Sequence, residues 1–163
     1  MSGGIWLMLI GWFLYSAAQA SYQQAALQRS LAGVKVKNIF TRDLITLPST
    51  MSLEEAVSDY FLKEGFGGFP VMEKGKFLGF VTLKEIKNIR REDWGRVRVS
   101  EVTVPHQEKW EVSPEDDAIK ALELMIGEDK GRIAVRDKGA LIGMITRNGI
   151  ARYLQIKKEV LEA

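Results

Sequence analysis

The sequence contains one pattern of residues twice, and this duplication constrains the fold more than any other feature. Residues 69–86 and 133–150 share their order of apolar, glycine and threonine positions at a spacing of 64 residues. The matched pairs are Val71 and Val135, Gly75 and Gly139, Gly79 and Gly143, and Thr82 and Thr146. A repeat of this length indicates two copies of one supersecondary unit. Two such units can pack as a pseudo-twofold pair with a cleft between or beside them, which favours binding and sensing over a single catalytic centre.

The first copy is predicted to fold in the order β-α-β-β-α. Residues 44–47 read as a short strand closed by a proline. Ser52 caps the following helix, and Glu55, three residues later, completes a capping box. The remaining elements of this copy are a hairpin formed by 69–72 and 77–81 and a helix that opens at Thr82.

The second copy is predicted to have the same order, because Ala118 matches Ala56 and Val97 matches Val34 upstream of the main repeat. Its strand lies at 110–112, and Ser113 caps the next helix. The buried stripe of that helix is expected at Ile119, Leu122, Met125 and Ile126. The last elements are a hairpin at 132–135 and 140–145 and a helix at 148–160. The fold class is therefore α/β (α+β), with tandem β-α-β-β-α motifs preceded by an apolar N-terminal helix.

Length and composition narrow the function. A chain of 163 residues forms one compact domain or two small halves that share a core. A formal net charge of +2 is too small to indicate nucleic-acid binding, and we expect no nucleic-acid partner. The absence of cysteine excludes disulfides, thiolate zinc sites and a cysteine nucleophile.

The N-terminal segment is almost continuously apolar from residue 5 to residue 18, and no charged residue precedes Arg29. A secretory signal peptide would explain the apolar run, but it would carry a basic residue before that run. A complete membrane span needs about 20 apolar residues. We favour the end of a transmembrane helix, because basic residues that follow a span mark the cytoplasmic side. A terminal helix packed on the body or on a second copy is the alternative.

These observations divide the chain into six segments. They are an apolar segment at 1–18, a helical connector at 19–33, a first motif at 34–89, a polar linker at 90–96, a second motif at 97–156 and a C-terminal tail at 157–163.

The hairpin-to-helix signature occurs twice and resembles a known family. The first copy reads G-F-P-V-x5-F-L-G-F-V-T-L-x-E-I from Gly68, and the second reads R-I-A-V-x5-L-I-G-M-I-T-R from Arg132. This order resembles a tandem pair of CBS (cystathionine β-synthase) motifs over about 34–156. The resemblance implies a pseudo-twofold module that forms a homodimer, binds an adenine nucleotide such as AMP, ADP or ATP and regulates an attached protein.

The N-terminal segment and the motifs together resemble the C-terminal end of site-2-protease-like zinc metalloproteases. The stretch that carries this resemblance is G-W-F-L-Y-S-A-A-Q-A-S-Y-Q-Q-A-A from Gly11. Such proteases need an H-E-x-x-H zinc motif, and this chain has a single histidine. The resemblance therefore implies a non-catalytic regulatory part at the cytoplasmic face of a membrane, with zinc and catalysis in an attached upstream part.

The family resemblance also implies ligand-binding residues. In the first repeat, the threonine and acid that serve the sugar and phosphate are Thr82 and Glu85, with charge added by Lys84. Its base slot is expected at Ile45, Thr46, Gly68, Phe69 and Pro70. In the second repeat the corresponding threonine is Thr146, Asn148 lies next to the position of the acid, Arg147 and Arg132 are within reach of the phosphate, and Trp110, Ile133 and Ala134 form the base slot. Gly149 stands where the acid would be, which weakens this second site.

Simpler interpretations stay open for these residues. Thr82 and Glu85 also fit a plain capping box, and the second site also fits a degenerate copy kept for the fold. His106 has no second ligand nearby in sequence, so we expect no zinc site and a surface-loop position for it. No catalytic constellation can be assembled. The leading hypothesis is a nucleotide-sensing regulatory module, and the alternative is a dimerisation or interaction module with empty sites.

Overall fold

The computed structural model describes the backbone of residues 3–161 and the side chains of residues 5–16 and 25–161. The helices are α1 (Gly3–Leu31), α2 (Leu53–Ala56), α3 (Leu62–Glu64), α4 (Leu83–Ile86), α5 (Val99–Val102), α6 (Ala118–Gly127) and α7 (Arg147–Leu161). A π-helical turn (Val57–Phe61) joins α2 to α3. The strands are β1 (Leu47–Pro48), β2 (Gly68–Glu73), β3 (Lys76–Thr82), β4 (Val104–Pro105), β5 (Glu111–Val112), β6 (Arg132–Asp137) and β7 (Ala140–Thr146). Short 3-10 helices lie at Val36–Asn38, Arg91–Asp93 and Glu108–Trp110.

Each repeat forms the predicted order of elements around a small sheet. In the first sheet, β1 runs parallel to β2, and β3 pairs antiparallel with both β2 and β4. In the second sheet, β5 runs parallel to β6, and β6 pairs antiparallel with β7. The predicted short strands are each displaced, because pairing begins at Leu47 rather than at residue 44 and at Glu111 rather than at residue 110.

Helix α2 begins where the sequence predicts, whereas its counterpart in the second repeat, α6, does not. At α2 the Glu55 amide donates to Ser52 Oγ at 3.2 Å, and the Ser52 amide donates to Glu55 Oε2 at 3.1 Å. In the second repeat the predicted cap at Ser113 is wrong, because its amide donates to Asp116 Oδ2 at 2.8 Å within a turn. The carbonyl of Asp116 then accepts from the Val36 amide at 2.9 Å, so α6 begins only at Ala118.

The two repeats exchange their leading segments. Residues 34–37 bond to the stretch 114–118, where the Ala118 amide donates to the Val34 carbonyl at 2.8 Å. Reciprocally, residues 97–100 bond to the stretch 49–53, where the Leu53 amide donates to the Val97 carbonyl at 3.0 Å. Each motif in the chain is thus completed by the leading segment of the other motif.

The hydrophobic cores follow the same exchange. One core contains the side chains of β6, β7 and α6 together with Leu31, Val34 and Val36 from the start of the body. The other contains the side chains of α2, β2 and β3 together with Val99 from the middle of the chain. In α6, Leu122 and Met125 are buried as expected, but Ile126 is 56% exposed and the prediction for this residue is wrong. Ala118 and Ala121 complete the buried face instead.

Helix α1 is continuous through the predicted apolar segment and connector. Its C-terminal end joins the second repeat, because Leu31 is fully buried there and Lys157 Nζ donates to the Ser30 carbonyl at 2.9 Å. The large apolar side chains between Ile5 and Tyr15 are 42–78% exposed. Within the described part of the chain, no helix is both long and apolar enough to cross a membrane.

Candidate functional site

Two cavities lie where the repeats meet, and each is lined by both repeats. The first has a volume of about 320 Å³, at the lower end of the roughly 300–1,000 Å³ typical of small-molecule sites. The first repeat contributes Phe80 and residues 82–85 to it, and the second contributes residues 104–106, Trp110, residues 129–132 and Arg147. The exchange explains this composition, because β4 pairs with β3 and so carries residues 104–106 to the wall beside Phe80.

Thr82 and Glu85 form a capping box at the start of α4. The Thr82 amide donates to Glu85 Oε2 at 3.0 Å, and the Thr82 hydroxyl is hydrogen-bonded to the same oxygen. The Lys84 amide donates to Thr82 Oγ1 at 3.2 Å. The described hydrogen bonds of Glu85 use Oε2, so capping leaves Oε1 for another partner. The capping interpretation therefore holds, and it is compatible with a ligand contact.

The first cavity is lined by both aromatic and cationic side chains. Trp110 carries the Lys130 ammonium 4.2 Å from its ring centroid, a distance at which a cation–π interaction is favourable. The other cations that line the cavity are Lys84, Arg132 and Arg147. Asp129 lies 3.7 Å from Lys84 and 4.0 Å from Arg147, so it partly neutralises these two side chains.

Arg132 lies between the two cavities and against the backbone of the opposite repeat. A Cβ built on Gly68 would be 2.5 Å from Arg132 Nη1 and 2.7 Å from its Cζ, so the guanidinium occupies the space that a larger residue would need. Burial lowers the pKa of Arg132, and the nearby Glu85 carboxylate partly offsets this effect. The side chain has no hydrogen bond or ion pair with any other described residue.

The second cavity has a volume of about 630 Å³. Its walls come from Thr41 and residues 43–45 before β1, residues 65–69 at the start of β2, residues 131–132 at the start of β6, Met144 and residues 146–149 where β7 passes into α7, and Arg152. Among its described lining residues the only acid is Asp43. At the start of α7 the Gly149 amide donates to Thr146 Oγ1 at 3.0 Å, so the threonine caps the helix without a carboxylate partner.

The structure groups the predicted site residues across repeats rather than within them. Thr82, Lys84 and Glu85 share the first cavity with Trp110, whereas the second cavity brings Ile45, Gly68 and Phe69 together with Thr146, Arg147 and Asn148. The sequence-based grouping assumed that each repeat builds its own site. That grouping is wrong, because the exchanged segments bring residues of the two repeats together at each cavity.

Four predicted residues line neither described cavity. Thr46 is exposed on the loop before β1. Pro70, Ile133 and Ala134 are buried within their strands, where their side chains belong to the packing of the sheets. Sequence reasoning in turn missed residues that do line the first cavity, namely Phe80, residues 104–106 and Lys130. None of these has a local motif, and only the topology brings them to the cavity.

The prediction that His106 lies on a free surface loop is wrong. Its side chain is 12% exposed, and its Nε2 lies 2.8 Å from Glu111 Oε2. Arg136 Nη1 donates to the same carboxylate oxygen at 3.0 Å. Burial alone would raise the pKa of Glu111, but the hydrogen bonds from His106 and Arg136 outweigh it and lower that pKa. The cluster fixes one wall of the first cavity, which His106 lines.

Metal binding finds no support in these side chains. Among the described residues there is no group of three or more histidine, cysteine, aspartate or glutamate side chains placed to hold a metal ion.

Comparison with protein families matches the CBS domain model at residues 36–92 and again at 99–156. The chain belongs to the CBS domain family. The two matched stretches correspond to the two repeats described above, so the resemblance seen in the hairpin signature is confirmed.

Solved CBS domains have the same fold. The CBS domain of a bacterial CNNM/CorC family Mg²⁺ transporter in complex with ATP aligns with a TM-score of 0.69 and 18% identity, covering 82% of this chain and 97% of that one. The protein CBSX2 in complex with AMP aligns with a TM-score of 0.61 and 24% identity, covering 77% of this chain and 99% of that one. At these identities the likeness concerns the fold.

Curated relatives of the CBS chain carry zinc metalloprotease names. The zinc metalloprotease MJ0392 of Methanocaldococcus jannaschii is 32% identical over 164 residues, covering 98% of this chain and 44% of the relative. Rip3 of Mycobacterium tuberculosis, provisionally named as a zinc metalloprotease, is 27% identical over 157 residues, covering 94% and 40%. The chain thus spans less than half the length of these relatives, and the similarity to metalloprotease-associated sequences is confirmed.

Proposed function

We propose that this CBS pair is a regulatory module that binds an adenine nucleotide in the first cavity. The observation that carries the proposal is the convergence of an aromatic wall, the Thr82–Glu85 pair and four cationic side chains in one space of about 320 Å³. Two solved CBS proteins of this fold are complexes with ATP and with AMP, which supports the choice of ligand.

Each part of the nucleotide has a matching part of the cavity. Trp110 and Phe80 offer apolar surface to the base. Glu85 Oε1 and Thr82 Oγ1 would accept hydrogen bonds from the ribose hydroxyls, since the Thr82 hydroxyl proton is donated to Glu85 Oε2. Phosphate oxygens pair best with cations, and Arg132 has no competing ion pair with a described residue, which makes it the strongest phosphate contact.

The regulated partner in this proposal is an attached membrane metalloprotease. Relatives with zinc metalloprotease names align over nearly the whole of this chain, which supports that choice. Helix α1 begins in an exposed apolar segment and ends buried in the second repeat, so it joins a membrane-facing part to the module at the cytoplasmic face. Ligand bound across both repeats would favour one arrangement of them, and α1 would carry this population shift to the protease. Two modules would associate as a homodimer.

A dimerisation or interaction module with empty sites is the second candidate function. Two observations favour it. Glu85 already caps α4, and Gly149 provides no carboxylate in the second repeat. In addition, Leu62 and Ile126 occupy equivalent positions 64 residues apart in the two repeats and are 76% and 56% exposed. Equivalent exposed apolar residues suit a symmetric contact between copies.

Titration calorimetry separates the two candidates. AMP, ADP, ATP and S-adenosylmethionine are titrated into the purified chain, with GTP as the base control. We expect micromolar binding of an adenine ligand and its loss in the double variant Thr82→Val, Glu85→Ala. No binding to the folded wild type would refute sensing and leave the interaction module.

The chain offers a matched control for the double variant. Ser52 and Glu55 form the same capping box at α2 but line neither described cavity. The variant Ser52→Ala, Glu55→Ala therefore loses a comparable cap and should keep full nucleotide affinity. Equal loss of affinity in both double variants would show that the effect comes from helix stability rather than from ligand contacts.

A further inference from the structure

The two cavities share one wall. Gly67, Gly131, Arg132 and Arg147 line both of them, so the two cavities share two arginine side chains. Of the two arginines, Arg147 is already engaged. Its Nη2 donates to the Met125 carbonyl at 2.8 Å, and its guanidinium lies 4.0 Å from Asp129. Arg132 has no hydrogen bond or ion pair with a described residue, and the nearby Glu85 carboxylate acts on it only by electrostatic attraction, which leaves its N–H groups available to both cavities.

The repeat symmetry explains why one arginine serves two cavities. Positions 68 and 132 are equivalent, being 64 residues apart at the starts of β2 and β6. The chain has glycine at the first and arginine at the second. A Cβ on Gly68 would lie 2.5 Å from Arg132 Nη1, so the arginine fills the space beside its own counterpart. Two arginines at these positions would give each cavity its own cation, but the sequence provides only one.

We infer that Arg132 is a shared phosphate contact, so that phosphate groups bound in the two cavities compete for it and each ligand weakens the binding of the other. The inference deepens the proposed function and rests on it for the identity of the ligand in the first cavity. A guanidinium pairs with phosphate through two parallel N–H donors, and one phosphate uses this fork fully. A second phosphate in the other cavity would be repelled by the first phosphate and would have no contact with the Arg132 guanidinium.

Competition of this kind is a negative coupling between the cavities. Coupling between sites within a protein typically changes affinity about 5–150-fold. We expect roughly a tenfold effect, because both ligands keep their other contacts while one of them loses Arg132.

Calorimetry with AMP and inorganic pyrophosphate tests the inference. We expect AMP and pyrophosphate each to bind at one equivalent, and saturating pyrophosphate to raise the Kd of AMP about tenfold. Arg132→Gln should lower the affinity for both ligands and abolish the effect of pyrophosphate on the Kd of AMP. Lys84 lines only the first described cavity and Arg152 only the second. Lys84→Gln should therefore weaken AMP alone, and Arg152→Gln should weaken pyrophosphate and its effect on AMP.

Other outcomes overturn the inference. If Arg152→Gln leaves the effect of pyrophosphate unchanged, the two ligands compete within the first cavity and the cavities are not coupled. If both ligands bind together without mutual effect, or if Arg132→Gln changes neither affinity, the shared contact is refuted while nucleotide sensing stands. If AMP does not bind but one equivalent of pyrophosphate binds and needs both Arg132 and Arg152, nucleotide sensing fails, and the shared contact is refuted as well because Arg132 then serves the second cavity alone. If neither ligand binds, both proposals fail.

Discussion

Substitution of Gly143 by alanine tests the exchange of segments directly. Gly143 lies in β7, directly beneath the segment that crosses from the start of the first motif. A Cβ at this position would overlap the Phe40 ring and the Thr41 carbonyl oxygen. The backbone of Gly143 has no positive φ, so alanine is excluded by the crossing segment and not by its own conformation.

The cost can be worked out from the contacts that the added methyl group disrupts. Thr41 and Met144 exchange two backbone hydrogen bonds, at 2.8 Å and 3.1 Å. Each contributes about 0.5–1.5 kcal/mol, and overpacking of this kind costs about 1–3 kcal/mol. Because one displacement causes both losses, they overlap, and we expect Gly143→Ala to lower the free energy of unfolding by about 2–4 kcal/mol. For a chain of this size the melting temperature would fall by roughly 4–16 °C.

Urea and thermal unfolding followed by circular dichroism measure this change. Gly127→Ala is the control, because a Cβ there meets no atom within 4 Å and the position lies in α6. Alanine favours helix over glycine by up to about 1 kcal/mol, so this variant should be neutral or more stable. If Gly143→Ala stayed within about 0.5 kcal/mol of the wild type, as ordinary surface substitutions do, the segment would not be held against β7 and the exchange would be refuted.

Three further predictions concern pH, capping and the N-terminal helix. The folded pKa of Glu111 lies below its ordinary value of 4.5, so its contribution to stability is complete above that pH and is lost as the pH falls through the lower value. The variant Glu111→Gln should therefore show a smaller decrease in the free energy of unfolding below about pH 4.5. An unchanged decrease in urea melts at acid pH would contradict this. Ser52→Ala removes the cap of α2 and should cost about 1 kcal/mol in the same melts, whereas a cost near zero would mean that the capping box adds nothing. Deletion of residues 1–28 removes the exposed apolar part of α1 and should raise solubility in sedimentation assays, with loss of cooperative melting as the contrary result.

The elements of the fold could be predicted from the sequence because their signals are local. The capping box at Ser52 acts within a few residues, and it is found where the pattern placed it. Ser113 has the same local signal as Ser52, yet α6 begins five residues later. The backbone there is engaged by residues 34–37, more than seventy positions upstream, and no local pattern reports such a partner.

The candidate site could be predicted only in part, for the same reason. Thr82 and Glu85 are recognisable because a threonine and an acid at this spacing have a local role at a helix start. Their cavity partners Trp110 and Arg132 come from the other repeat, and the sequence analysis assigned them to a separate site. The duplication made each repeat look self-sufficient, whereas the structure builds each cavity from both.

The exchange of leading segments also bears on how the chain folds during synthesis. Residues 31–36 leave the ribosome early, but the core that buries them also needs β6 and β7, about a hundred residues later. The first repeat closes sooner, once Val99 has emerged to complete its core. Because non-local contacts form slowly, the first repeat should fold once about residue 102 has emerged from the ribosome, while α1 and its apolar surface wait for the end of translation. A chaperone or an early membrane contact that shields α1 during this interval would therefore raise the yield of folded protein.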